Sequence, residues 1–156
     1  MSAIKIIGIG NPDRGDDALG PAVIAALAAD PPVAAELSTA SGDMLALLDR
    51  WSPNDRVFLV DAIAPGQAPG TVVRLDAGRE VLVHALANFA SSHMFNLAEA
   101  IELGRALGRL PAELIVYGAE GACFEPGSAL SPATAAAVAE IADRLREDLR
   151  TCTKPH

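Results

Sequence analysis

The chain is short of cysteine, of lysine and of any long apolar run, and each shortage removes a class of explanation. Cys123 and Cys152 are the only cysteines among 156 residues. They lie far apart and form neither a CxxC pair nor a zinc-ligand spacing. No disulfide framework organises the chain, and two reduced thiols in a cytoplasmic protein are expected. Lys5 and Lys154 are the only lysines, and 12 basic residues face 20 acidic ones for a net charge of −8. Binding to nucleic acid by counterion release needs a basic face, and none is visible. Nucleic acid and anionic membrane are therefore poor partners, whereas a cation or another protein suits the charge. Hydrophobic residues make up 51% of the chain, yet no apolar run reaches the roughly 18 residues of a membrane span. The opening MSAIKIIGIG lacks the basic start and long apolar centre of a signal peptide, so a cytoplasmic location is expected. There is no internal repeat or linker, and residues 1–156 are read as one domain.

What is present is alternation of strand and helix. Ile4 to Ile9 is a short, continuous apolar run, as a strand buried on both faces requires. A helix is expected from Leu19 to Ala29, with Pro21 tolerated in its first turn, and Pro31-Pro32 stops it. Val33 to Ser38 reads as a weaker strand, Thr39 to Asp43 as a polar turn, and Met44 to Trp51 as a helix. RVFLVD, Arg56 to Asp61, is a second buried strand. Pro65 to Gly70 is a turn into a strand over Thr71 to Leu75, joined without a helix, so one strand can run antiparallel. Helical spacing returns from Phe95 to Leu107, with Gly108 as its stop. Glu113 to Gly118 is a further strand, and Ser131-Pro132 opens a helix to Leu149. The expected fold is α/β: a three-layer α/β/α sandwich around a mostly parallel, mixed, twisted sheet of about five strands.

In such sheets ligands bind outside the carboxyl ends of the strands. The first strand empties into Asn11, Asp13, Asp16 and Asp17, the strand RVFLVD ends on Asp61, and His93 stands at the entry to a helix. GIGNPDRGDD has the outline of a dinucleotide loop, but the third glycine of G-x-G-x-x-G is replaced by Asp13. Clustered carboxylates would also repel a phosphate, by roughly 4 kcal/mol for a pair 4 Å apart at intermediate dielectric. Helix capping needs one aspartate, and this loop has three. Asp16 is the expected cap, and Asp13 is expected to be solvated. Asp17, Asp61 and His93 form a mixed oxygen and nitrogen set suited to zinc, nickel or manganese, with coordination positions left open. Asp16 is a fallback ligand and Asp43 a weaker one.

These residues resemble a known family, the nickel–iron hydrogenase maturation endopeptidases. GIGNPDRGDDALG is similar to the family's GxGNxxxxDDGxG signature. The resemblance continues in order through VDAIAPGQAPGTVVRL, SSHMFNLAEAIELGRALGRLP and GSALSPATAAAV. Ala18 stands where the family usually has glycine, and Pro12-Asp13-Arg14 replaces a commonly apolar stretch. Carried over, the family's metal-contacting and catalytic positions are Asp17, Asp61 and His93. The resemblance implies a monomeric cytoplasmic endopeptidase that removes a C-terminal peptide from a hydrogenase large-subunit precursor, with nickel brought by that substrate. Two other readings stand beside it: a non-catalytic nickel-checking or delivery protein using the same trio, and a hydrolase with Cys123 as nucleophile.

Overall fold

The computed structural model describes residues 3–32, 34–41, 44–63, 68–79 and 97–152. Within them five strands form one sheet: β1 (Ile4–Ile9), β2 (Ala35–Ala40), β3 (Arg56–Ile63), β4 (Val72–Asp76) and β5 (Glu113–Glu120). Three α-helices are described, α1 (Leu19–Ala29), α2 (Leu97–Ala106) and α3 (Pro132–Cys152). Short 3-10 helices cover Gly15–Ala18 and Met44–Asp49. No helix among the described residues is long and apolar enough to cross a membrane.

The strand order is β2-β1-β3-β5-β4. The first three pairings are parallel, and β4 runs antiparallel on β5. The antiparallel strand that the sequence allows after Pro65 to Gly70 is β4. β3 and β5 are buried along nearly their whole lengths, whereas the edge strands β2 and β4 are mostly half-buried. That difference follows from coverage: central strands have helices on both faces and neighbours on both sides.

Alternation along each strand divides the core in two. On one face Ile6, Phe58, Val60, Ile115 and Tyr117 pack against Leu19, Val23 and Leu27 of α1 and Ile141, Leu145 and Leu149 of α3. On the other, Ile7, Ile9, Val57, Leu59, Leu114 and Val116 meet Leu97 and Ile101 of α2, together with Leu47, Leu48 and Trp51. This is the three-layer sandwich.

Two local expectations change. Met44–Asp49 is a 3-10 helix rather than an α-helix. The segment is too short to offset the cost of helix nucleation, and Ser52 before Pro53 disfavours continuation. β3 also runs two residues past Asp61, because Ala62 and Ile63 keep pairing with Ala119 and Glu120.

Candidate active site

β1 leads through α1 outward to β2, while its other neighbour, β3, belongs to the half of the sheet that continues to β5 and β4. The boundary between β1 and β3 is the topological switch point, where an open α/β sheet leaves a crevice at its carboxyl edge. Asp17 follows β1, and Asp61 stands near the carboxyl end of β3.

The backbone brings Asp17 down onto this edge. Gly10, one residue beyond β1, has φ 137°, and a Cβ built on it would lie 2.0 Å from the Asp17 carbonyl oxygen and 3.2 Å from Asp17 Oδ1. Only a residue without a side chain permits that approach. Asp17 is 6% exposed and accepts the Asn11 N–H on Oδ2 at 3.1 Å. Asn11 Oδ1 in turn accepts the Asp13 N–H at 2.9 Å, an Asx turn that shapes the exit from β1. Two residues into α1, a Cβ on Gly20 would meet the Ile9 carbonyl oxygen at 2.4 Å and that of Val60 at 2.7 Å. The start of α1 therefore rests directly on the β1–β3 boundary.

Asp61 is fully buried, and its Oδ1 accepts the Ala62 N–H at 2.9 Å. Its neighbours Leu59 and Ile63 lie in the core under α2, so alternation puts Asp61 on that face. Glu120, 5% exposed, is another buried acid at this edge. It pairs with Ile63 while Gly118 pairs with Asp61, so Glu120 lies one diagonal step from Asp61 on the same face. Sequence reading ended β5 at Gly118 and missed it. The signal was available: a carboxylate at the carboxyl end of a buried strand, the rule already applied to Asp61.

Asp16 differs most from its expected part. Neither Gly15–Ala18 nor α1 has a side-chain cap, so Asp16 caps no helix start beside it. It is fully buried and gathers donors from the connection between β5 and α3. Its Oδ2 accepts the N–H of Ala122 at 2.6 Å, the N–H of Cys123 at 3.1 Å and the Ser131 hydroxyl at 2.9 Å. Its Oδ1 accepts the Ser131 N–H at 2.8 Å. Burial pushes this carboxyl up, but those donors outweigh it and hold its pKa below the ordinary value. Removing the carboxylate would strand three N–H groups, at about 1–3 kcal/mol for each one left unsatisfied. Asp16 is thus occupied as an acceptor rather than poised as a ligand. Asp13 is exposed, as expected.

His93 and the weaker fallback Asp43 lie outside the described residues. Among the described residues there is no group of three or more His, Cys, Asp or Glu that could hold a metal ion. Asp17 and Asp61 still fit a divalent cation in donor chemistry: both are buried carboxylates that follow or stand near the end of neighbouring strands, and one imidazole would complete an oxygen and nitrogen set. Cys123 is half-buried, with Sγ 3.9 Å from Ser128 Oγ. Its backbone is committed to Asp16 through both its N–H and its carbonyl.

Residues 37–147 match the sequence family described as HycI, hydrogenase maturation protease. Among solved structures, the fold is similar to the hydrogenase maturating endopeptidase HybD from E. coli, at 27% identity and TM-score 0.78, covering 97% of this chain and 94% of that one. An endopeptidase from Escherichia coli superposes with TM-score 0.82 at 24% identity, covering 97% of this chain and 94% of that one. The [NiFe] hydrogenase maturation protease HybD from Thermococcus kodakarensis gives TM-score 0.73 at 23% identity, with 93% and 97% covered. The latter two likenesses are of fold. No curated protein sequence matches the chain.

Proposed function

The chain belongs to the hydrogenase maturation protease family, and from that premise we propose that it removes a C-terminal peptide from the large-subunit precursor of a [NiFe] hydrogenase. Asp17, Asp61 and His93 contact the nickel that the precursor carries, so that an unloaded precursor is left uncut. The observation that carries this reading is the placement of two buried carboxylates, Asp17 and Asp61, at the β1–β3 switch point of a maturation protease. The protein acts in the cytoplasm as a monomer.

The roles divide by chemistry. Asp17 and Asp61 must be ionised and His93 neutral to meet a cation, so recognition weakens in acid. A divalent ion at such a site supplies one of two chemistries, polarising the scissile carbonyl or lowering the pKa of the attacking water. The glycine at position 10 lets the Asp17 backbone close onto the end of β1, which sets where that carboxylate stands.

The test mixes the protein with nickel-loaded large-subunit precursor and follows the precursor's mass. Loss of a C-terminal peptide is the expected result. Binding of the two proteins with no change in mass would replace the peptidase reading with that of a nickel-checking or delivery protein.

A further inference from the structure

Residues 13–16 and the connection from β5 to α3 are joined far more densely than a turn of this length requires. The Gly127 N–H donates to the Asp13 carbonyl at 2.7 Å, and Arg14 Nε donates to the Phe124 carbonyl at 3.2 Å. The Gly15 N–H reaches the Ser128 carbonyl at 3.0 Å, and the Asp16 N–H reaches that of Cys123 at 2.7 Å. The Asp16 carboxylate adds its four acceptor bonds from Ala122, Cys123 and Ser131. The seam leaves no slack. Gly15 has φ 58°, and a Cβ there would lie 2.5 Å from the Cys123 carbonyl oxygen. A Cβ on Gly121 would lie 2.9 Å from Asp16 Cβ.

We propose that Asp16 is a positioning residue that latches the Gly121–Ser131 connection to the turn carrying Asp17, and thereby fixes where Asp17 meets the substrate. The catalytic part of this rests on the reading of Asp17 given above. Asp17 is the next residue along the chain, and its own N–H bonds the Arg14 carbonyl inside the latched turn at 3.1 Å. The latch demands a carboxylate. Four donors converge on its two oxygens, whereas an asparagine offers one acceptor oxygen and two competing N–H donors. The Gly121–Ser131 segment is thus tied to the turn that carries Asp17, by a residue that never touches the substrate.

The experiment uses the full chain with Asp16→Asn, and with Ser131→Ala as the milder variant that removes only the hydroxyl donor. Hydrogen exchange is measured at Ala122, Cys123 and Ser131 and, for reference, at Leu59 and Val116 in the core. Steady-state cleavage of nickel-loaded precursor is measured alongside. In Asp16→Asn, exchange at the three seam amides rises at least about tenfold more than at the core amides, which report only the global loss of stability. Its kcat falls about 100-fold, the order of loss a misplacement near 1 Å produces. KM rises as well, because Asp17 already meets the nickel in the bound precursor and loses that contact when it is misplaced. Ser131→Ala shows the same pattern at smaller amplitude. Equal acceleration at seam and core amides would reduce Asp16 to a contributor to global stability and overturn the proposal. So would a loosened seam with unchanged kcat. Full activity in Asp17→Asn would instead overturn the reading of Asp17 and remove the catalytic consequence of the latch, while the exchange pattern would still report whether the seam is held by Asp16.

Discussion

Two aspartates buried at opposite ends of the same sheet are satisfied in different ways. At the amino end, Asp55 is 2% exposed and meets Lys5 Nζ at 3.1 Å, along with the N–H groups of Ser52 at 2.8 Å and Ala3 at 3.1 Å. At the carboxyl end, Asp16 is fully buried and held by three N–H groups and one hydroxyl. Asp55's charge is cancelled by a cation beside it, whereas every one of Asp16's donors is neutral. A pair such as Lys5–Asp55 fixes structure and leaves little field behind. A carboxylate held by neutral donors keeps its charge, and Asp16 does so at the edge where Asp17 and Asp61 are also buried. On the proposed function the carboxyl end is the one that meets a cation-bearing substrate, and the amino end holds the fold.

The largest effect that would break this contrast is on cleavage. Asp61→Asn and His93→Ala each reduce processing of nickel-loaded precursor at least about 100-fold, as removal of a group acting directly at the reacting centre does. Cys123→Ala leaves processing unchanged. Loss of activity confined to the Cys123 variant would move the chemistry away from the crevice altogether.

A smaller effect concerns acid. The Ser52 N–H and Lys5, against the upward push of burial, hold Asp55 below the ordinary value of 3.8, and the Ala3 N–H adds to them. Asp16 is held below it as well, by neutral donors. Depressed carboxyls contribute stability that is complete above 3.8 and lost as the pH falls through their lower folded-state values. Lys5→Met removes Asp55's cation, so the acid loss of stability begins at higher pH, observable as thermal melts recorded from about pH 5 to about pH 2. An acid profile unaltered by Lys5→Met would erase the distinction drawn between the two ends. The smallest effect belongs to a group at neither end. Burial, and then the bond to Asp148, push the Tyr117 hydroxyl from 10.0 up to about 12 against the opposing pull of Arg74. The unfolded chain ionises first, so stability falls between about pH 10 and pH 12, and Tyr117→Phe abolishes that decline.

The amount legible in the sequence follows the same physics. β1, β3 and β5 announce themselves as continuous apolar runs because the fold buries them on both faces. The edge strands β2 and β4 are displaced by one or two residues from their expected places, since half-buried strands leave a weak pattern. Asp17 and Asp61 could be singled out because a strand's carboxyl end is a local feature. The latch at Asp16 could not, because its donors lie 106 to 115 residues downstream and only the fold brings them near. A carboxylate beside a helix start reads locally as a cap, and here the competing partners win. His93 remains an assignment carried by family resemblance and donor chemistry.

The central claim is that the two ends of the sheet separate catalysis from stability. The most direct measurement is the rate of nickel-loaded precursor cleavage per folded molecule for Asp17→Asn and Asp55→Asn side by side, with a thermal melt of each. The account predicts that Asp17→Asn folds normally and cuts at least about 100-fold more slowly, while Asp55→Asn melts earlier and cuts at the parent rate. Equal loss of cleavage in both variants, or full cleavage by Asp17→Asn, would contradict it.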